Sequence, residues 1–257
     1  MNNSTFTASR RQFLSLAATA GAITVLPFNA FAGSHAGNKI GDITVHPVAH
    51  ASIVLETPAG TIYVDPVGDA AQYAKFPKPD MVLITHHHGD HFKAETLDAV
   101  VTDATKMIVN PEVYGKLSDA MKAKSTSIGN GESSSLMNVG VEAIPAYNTT
   151  EERAKFHPKG RDNGYIVTIG DMRIYISGDT EDTPEMRALK DINLAFVCMN
   201  LPFTMDAKAA ASAVAEFKPT HVYPYHYRGK DDGTQDPEEF AKLVGGAAEV
   251  LQGNWYD

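Results

Sequence analysis

His86, His87, His88 and His91, four of the chain's ten histidines, share six positions with Asp90 in the segment VLITHHHGDHFKAE, residues 82–95. Imidazole nitrogens and a carboxylate at this density suit a divalent transition metal such as Zn, Mn or Fe. Residues two apart on an extended chain face the same way, so His86 and His88 can grip one cation while His87 points away. Gly89 permits a tight reversal, after which Asp90 and His91 can turn back on the same pocket. A second cation then sits beside the first, and two ions about 3.5–4 Å apart would share a metal-bound hydroxide. Asp90 is the candidate catalytic residue, placed to orient that hydroxide and later carry its proton. The plain alternative is a surface tract with adventitious metal affinity, but such tracts lie in long polar stretches, whereas this cluster follows the apolar run DMVLIT. HExxH, GxSxG and Walker sequences do not occur in the chain.

DMVLIT reads as a buried strand that delivers His86 at its C-terminal end, where α/β folds place their ligands. Further strands are expected at about 42–46, 52–56, 61–65, 107–109, 140–144, 164–169, 172–177, 194–199 and 220–224, from runs rich in Val, Ile and Tyr. Helical spacing predicts helices near 68–74, 94–100, 111–122, 183–189, 206–217 and 236–246. The alternation argues for an α/β chain, and the Gly/Ser cluster SIGNGESSS at 127–135 reads as a loop. One echo says more: SIVLETPAGTIYVDP (52–66) resembles YIVTIGDMRIYISGD (165–179), each a hairpin whose return strand runs into an aspartate, Asp65 or Asp179. Two similar halves would explain it.

The 257 residues, 43% hydrophobic and 21% charged, suffice for one large domain, expected over 33–257. Before it, SRRQFL precedes a mildly apolar run and AFAG, which reads as a twin-arginine signal peptide over 1–32 that the twin-arginine translocation machinery would export to the periplasm. The first 32 residues hold two arginines and no acids, so the remainder carries a net charge of −11 against −9 for the whole chain. That balance argues against a nucleic-acid partner. Cys198, alone of its kind, lies in the apolar run LAFVCM and reads as a buried structural thiol.

THHHGDH resembles the HxHxDH signature of the metallo-β-lactamase-fold hydrolases, with His86, His88, Asp90 and His91 in its four places. YISGDT (175–180) resembles that superfamily's strand ending in the metal-bridging aspartate, here Asp179, and VYPYHYRG (222–229) its last strand, ending at His226. The opening HPVAHASIVLE is most similar to the branch holding L-ascorbate 6-phosphate lactonase-like and N-acylphosphatidylethanolamine phospholipase D-like enzymes. The resemblance covers the chain from about residue 40 onward and implies a four-layer αββα sandwich of two mixed sheets with a dinuclear centre. It places His86 and His88 in site one, Asp90, His91 and His226 in site two, and Asp179 between them, with two divalent ions, Zn first and Mn or Fe as others. The chain departs from the pattern at site one's third histidine, where AIPAYNTTEERAKFHPKGRDNG puts Asn148. Either the Asn148 amide oxygen fills the place, or His157 reaches in, or the site is incomplete; His157 is preferred because imidazole is the better ligand.

Supporting groups follow from position: Asp65 buttressing the metal loop, His50 as a hydrogen-bonding support, and Tyr225 or Tyr227 as an oxyanion donor. Lys155, Lys159, Arg161, Arg228 and Lys230 would flank the mouth, which suits an anionic small-molecule substrate unless they are ordinary solvated loop charges. Three functions compete. The first is an exported, periplasmic hydrolase of an ester, lactone or amide bond. The second is a phosphodiesterase or phospholipase-type metallohydrolase, and the third a non-catalytic periplasmic metal-binding protein. The Asp90 carboxylate and the bridging Asp179 favour catalysis, because storage needs no open, shared water.

Overall fold

The computed structural model describes Met1 and residues 38–256, so the export segment expected over 1–32, Met1 apart, lies outside the described residues. Seven strands form the first sheet in chain order: β1 Asn38–Ile40, β2 Ile43–Ala49, β3 Ser52–Thr57, β4 Gly60–Val64, β5 Met81–Ile84, β6 Lys106–Val109 and β7 Ser125–Ser127. Seven more form the second: β8 Ser133–Leu136, β9 Val139–Ala146, β10 Asp162–Ile169, β11 Met172–Ile176, β12 Leu194–Cys198, β13 His221–Tyr225 and β14 Glu249–Val250. The echoed hairpins extend to whole halves. In each sheet the first four strands pair antiparallel and the last four parallel, strand for strand.

Period-two alternation explains how the sheets stack. In β3, Ile53 and Leu55 enter the core shared with Val141, Tyr165, Val167, Ile174 and Phe196 of the second sheet. Val54, between them, faces the other way with Tyr63, Val82, Ile84 and Met107, and meets Leu97 and Val100 of helix α1, Ala94–Val100. Val113 of α2, Pro111–Lys116, completes that outer layer. On the second sheet's side, Ala210, Ala211, Val214 and Phe217 turn one face of α6, Ala207–Phe217, into the core, and α7, Pro237–Val244, adds Phe240. Two mixed sheets between flanking helices make the four-layer αββα sandwich. Each fully buried side chain of this size contributes roughly 1.5–3 kcal/mol.

Two departures from the sequence reading have simple causes. The helix expected over 111–122 breaks into α2 and α3, Asp119–Lys122, because Leu117 is extended (φ −71°, ψ 149°) and Ser118 caps Met121. The expected loop at 127–135 contains the start of β8, an exposed edge strand of sequence SSSL. It needs no apolar alternation, since β9 pairs one side of this half-exposed strand and the other side lies at the sheet's edge. Parallel strands share a direction, so the loops after β4, β5, β11, β12 and β13 leave the two sheets at one edge, and every candidate site residue outside the 148–162 segment sits in or beside them.

Candidate metal centre

β5 ends at Ile84, and the next residue, Thr85, is fully buried against Asp65. Asp65 accepts the Thr85 backbone N–H at 2.7 Å, the Thr85 hydroxyl at 2.6 Å and the His91 ring at 2.8 Å. Thr85 gives its single proton to Asp65, so its oxygen can only accept from His86 Nδ1, 3.1 Å away. His86 and His91 are thereby locked with Nε2 lone pairs directed inward. Asp65 does what its place at the end of the first hairpin led one to expect. Gly89 lies in the expected reversal, a helical turn closed by the His91 and Phe92 N–H groups on the His88 carbonyl, but its φ is outside the left-handed region that would require a glycine.

The structure brings His157 to His86 and His88, with one ligand atom from each lying within 4.8 Å of the others. His88 turns Nδ1 to 3.1 Å from His86 Nε2. Asp162 bonds His157 Nδ1 at 3.0 Å, which points His157 Nε2 at Asp179 Oδ2, 3.4 Å away. Asn148 spends its amide hydrogens on the Arg153 and Phe203 carbonyls, and its Oδ1 is buried without a partner among the described residues. The other oxygen of Asp179 faces the second group: Oδ1 is 3.3 Å from His91 Nε2 and 3.4 Å from His226 Nε2. His226 Nε2 also lies 3.4 Å from Asp90 Oδ2, and Asn200 sits on its Nδ1 at 2.7 Å. Asp179 therefore presents one oxygen to each cluster.

The charges fit a cation. Burial works against ionising Asp179, yet His226 and His91 outweigh it and hold its pKa well below the carboxylate range. Burial likewise opposes a proton on His91, but Asp179 and Asp65 drive its pKa well above the ordinary value, a field that would favour any positive charge there. Burial, then His157, push His88 down to about 4, and burial lowers His86 far below the usual value, which leaves both rings neutral. His91 Nε2 and Asp179 Oδ1 are buried and close, but neither has a hydrogen-bond partner among the described residues. Buried polar atoms are seldom left so. Two such atoms aimed past each other fit a shared cation between them, as does the histidine-rich donor set.

Some supporting expectations change and one holds. Tyr225 is wholly buried against Phe196 and Trp255, so it cannot reach an oxyanion. Cys198 is buried, with its thiol pushed up to about 12 by burial, as a structural thiol should be. Arg161 is bound to both oxygens of Asp162 and to the Phe156 carbonyl, and Lys159 pairs with Glu185. Two of the five mouth cations are thus already matched by acids. Sequence reasoning missed Asp162, Asn200 and Glu181. Glu181 is buried and accepts Thr149 N, Thr149 Oγ1, Thr150 N and Arg153 Nη1, each at 2.7 Å, fastening the loop and α4, Glu151–Ala154, that lead to His157. Only the adjacency of Asp162 to Arg161 could have hinted at any of them.

A cavity of about 180 Å³ opens onto these groups, lined by His88, Asp90, His157, Asp179 and Asn200, with Phe156 and Phe203 opposite. The two phenyl rings meet edge to face at 5.2 Å.

The Beta-lactamase superfamily domain family matches residues 44–226. A UPF0173 metal-dependent hydrolase of Pyrococcus horikoshii is 31% identical over 218 residues, 81% of this chain and 95% of the relative. A protein of known structure from Parabacteroides distasonis is 40% identical, with a TM-score of 0.73 over 82% of this chain and 92% of that one. The fold is also that of a metallo hydrolase from Ignicoccus hospitalis, 24% identical, with a TM-score of 0.69 over 84% of this chain and 96% of that one.

Proposed function

The chain belongs to the metallo-β-lactamase superfamily and within it to the UPF0173 metal-dependent hydrolases, and from that premise we propose that it hydrolyses a small, neutral carboxylic ester, lactone or amide. His86, His88 and His157 would hold one divalent ion and Asp90, His91 and His226 a second, with Asp179 shared; Zn is the first candidate for both. The observation that carries this reading is Asp179, whose Oδ2 faces His157 and whose Oδ1 faces His91 and His226. When bound, such ions polarise a carbonyl and lower the pKa of a water between them toward neutrality.

The chain's own groups do the rest. Asp90, 44% exposed at the cavity wall, orients the attacking water and takes its proton at a carboxylate oxygen. Asp162 and Asn200 hold His157 and His226 in their rotamers. Phe156 and Phe203 exclude water on the substrate side and offer an apolar wall. The cavity is small beside the roughly 300–1,000 Å³ of typical ligand sites, so the group it takes is short. With Arg161 and Lys159 paired to acids, a neutral substrate suits the mouth better than a phosphodiester. The twin arginines, Arg10 and Arg11, support export to the periplasm, which cell fractionation of the Arg10→Lys, Arg11→Lys chain would check.

The test is zinc content together with turnover on a panel of aryl esters, short-chain lactones and a bis-aryl phosphodiester. Lactones belong in it because the HPVAHASIVLE segment resembles lactonase-like enzymes. We expect about two zinc ions per chain and turnover that a chelator abolishes, with an ester or lactone favoured about 100-fold over the phosphodiester. Phe203→Ala should raise KM for the aryl ester roughly tenfold with kcat little changed, as lost uniform binding does. Preference for the phosphodiester, or no turnover anywhere by the zinc-loaded protein, would sink the reading.

A further inference from the structure

His50 lies in the turn between β2 and β3, just past a register shift at Pro47 to Ala49, and its φ is +52°. Bulges next to sites re-aim side chains, and a non-glycine residue in the left-handed region is held there by its surroundings. Here the surroundings are specific. The His50 backbone N–H donates to the Trp255 carbonyl, and its ring packs 3.9 Å from that of His226. Nδ1 is 2.9 Å from the Tyr256 hydroxyl, and Nε2 is 3.4 Å from Asp90 Oδ2. Tyr256 is pinned in turn: Arg228 stacks its guanidinium 4.2 Å from the ring, and the Arg228 backbone N–H reaches the hydroxyl at 3.2 Å.

Proton inventory orders this chain. A backbone N–H can only donate, so the Tyr256 oxygen accepts from Arg228, and an ionised carboxylate can only accept, so His50 turns a ring proton on Nε2 toward Asp90. Nδ1 is left to accept the Tyr256 hydroxyl, 2.9 Å away. We infer that His50, set by Tyr256, is a positioning residue for Asp90: it holds one carboxylate oxygen of a half-exposed side chain in the place from which Asp90 meets metal and water. The inference rests on the proposed role of Asp90.

His50→Ala, His50→Gln and Tyr256→Phe test it. The readouts are zinc stoichiometry at saturation, zinc affinity by competition with a chromophoric chelator, and kcat and KM on the best ester. His50→Ala and Tyr256→Phe should keep full stoichiometry while loosening one zinc about tenfold, the lower end of what loss of a ligand's hydrogen-bond partner costs. They should lower kcat about tenfold with KM within about twofold. His50→Gln, whose amide N–H can reach the same oxygen, should restore most of both, which a packing role would not predict. One zinc fewer at saturation in His50→Gln as well as His50→Ala would make His50 a ligand and overturn the inference, as would zinc affinities unchanged in all three variants. If the parent protein turns over no substrate, the proposed function fails, and the affinity readout still decides the role of His50.

Discussion

Asp179→Asn should leave a folded protein with turnover reduced by at least about a thousandfold and, on the dinuclear reading, one metal ion bound roughly 100-fold more weakly. The side chain is 4% exposed and nearly isosteric with its replacement, so packing is conserved and the loss is chemical. An amide offers one oxygen where the carboxylate offers two. Whichever cluster keeps the oxygen, the other receives an NH₂ group that cannot bind a cation, 3.3–3.4 Å from imidazole nitrogens. The negative charge that holds positive charge at His91 disappears with it. A factor of a thousand corresponds to about 4 kcal/mol, within the range for deleting one preorganised electrostatic group at a reacting centre. Elemental analysis, a chelator titration and a single-turnover assay check the outcome. A variant with full zinc affinity and more than a tenth of the parent's rate would mean that Asp179 does not join the two clusters, and the dinuclear reading would fall with it.

How much of this was legible beforehand follows from what each residue depends on. β5 and the histidines behind it were readable because an apolar run and a two-residue spacing are local facts. α1 and β3 were readable for the same reason, and the echo between the hairpins was a local fact stated twice. β8 was not, because a run of serines becomes a strand only when β9 lies beside it. Asp162, Glu181 and Asn200 were lost among 31 acids and many amides, since what distinguishes them is burial and partners far along the chain. Backbone conformation hid most completely. His50, Asp65 and His226 all have positive φ, although no glycine marks those positions, while Gly89, whose identity suggested a special turn, has an ordinary one. Local strain at these three positions is set by the tertiary contacts that offset it.

Gly178 is where backbone geometry and the site meet, and Gly178→Ala should cost about 3 kcal/mol of stability and loosen the bound metal as well. Its φ is +60°, which costs an L-residue roughly 1–2 kcal/mol. The added methyl would also lie 2.6 Å from the Asn163 carbonyl oxygen and 3.2 Å from Thr85 Cβ. The first obstacle is β10 backbone, paired on its far side with β9, and cannot swing away like a flexible side chain. The second is the residue whose hydroxyl links Asp65 to His86. Relief of the overlap must therefore move Asp179, one residue on, or Thr85, and either shift disturbs the metal groups. A loss of about 3 kcal/mol lowers Tm by roughly 6–12 °C for a domain of this size. Gly170→Ala is the matched control: its φ is +56° in the β10–β11 turn, but a methyl there meets nothing within 4 Å. It should cost only the backbone strain, about 1 kcal/mol, and leave zinc affinity unchanged. Equal melting temperatures and equal zinc affinities for the two variants would mean that the close approach at Gly178 does not exist in solution. A large difference confined to Gly178 would show that the turn presenting Asp179 is pressed against the β10 backbone and Thr85, so that local stability and the geometry of the site are one quantity.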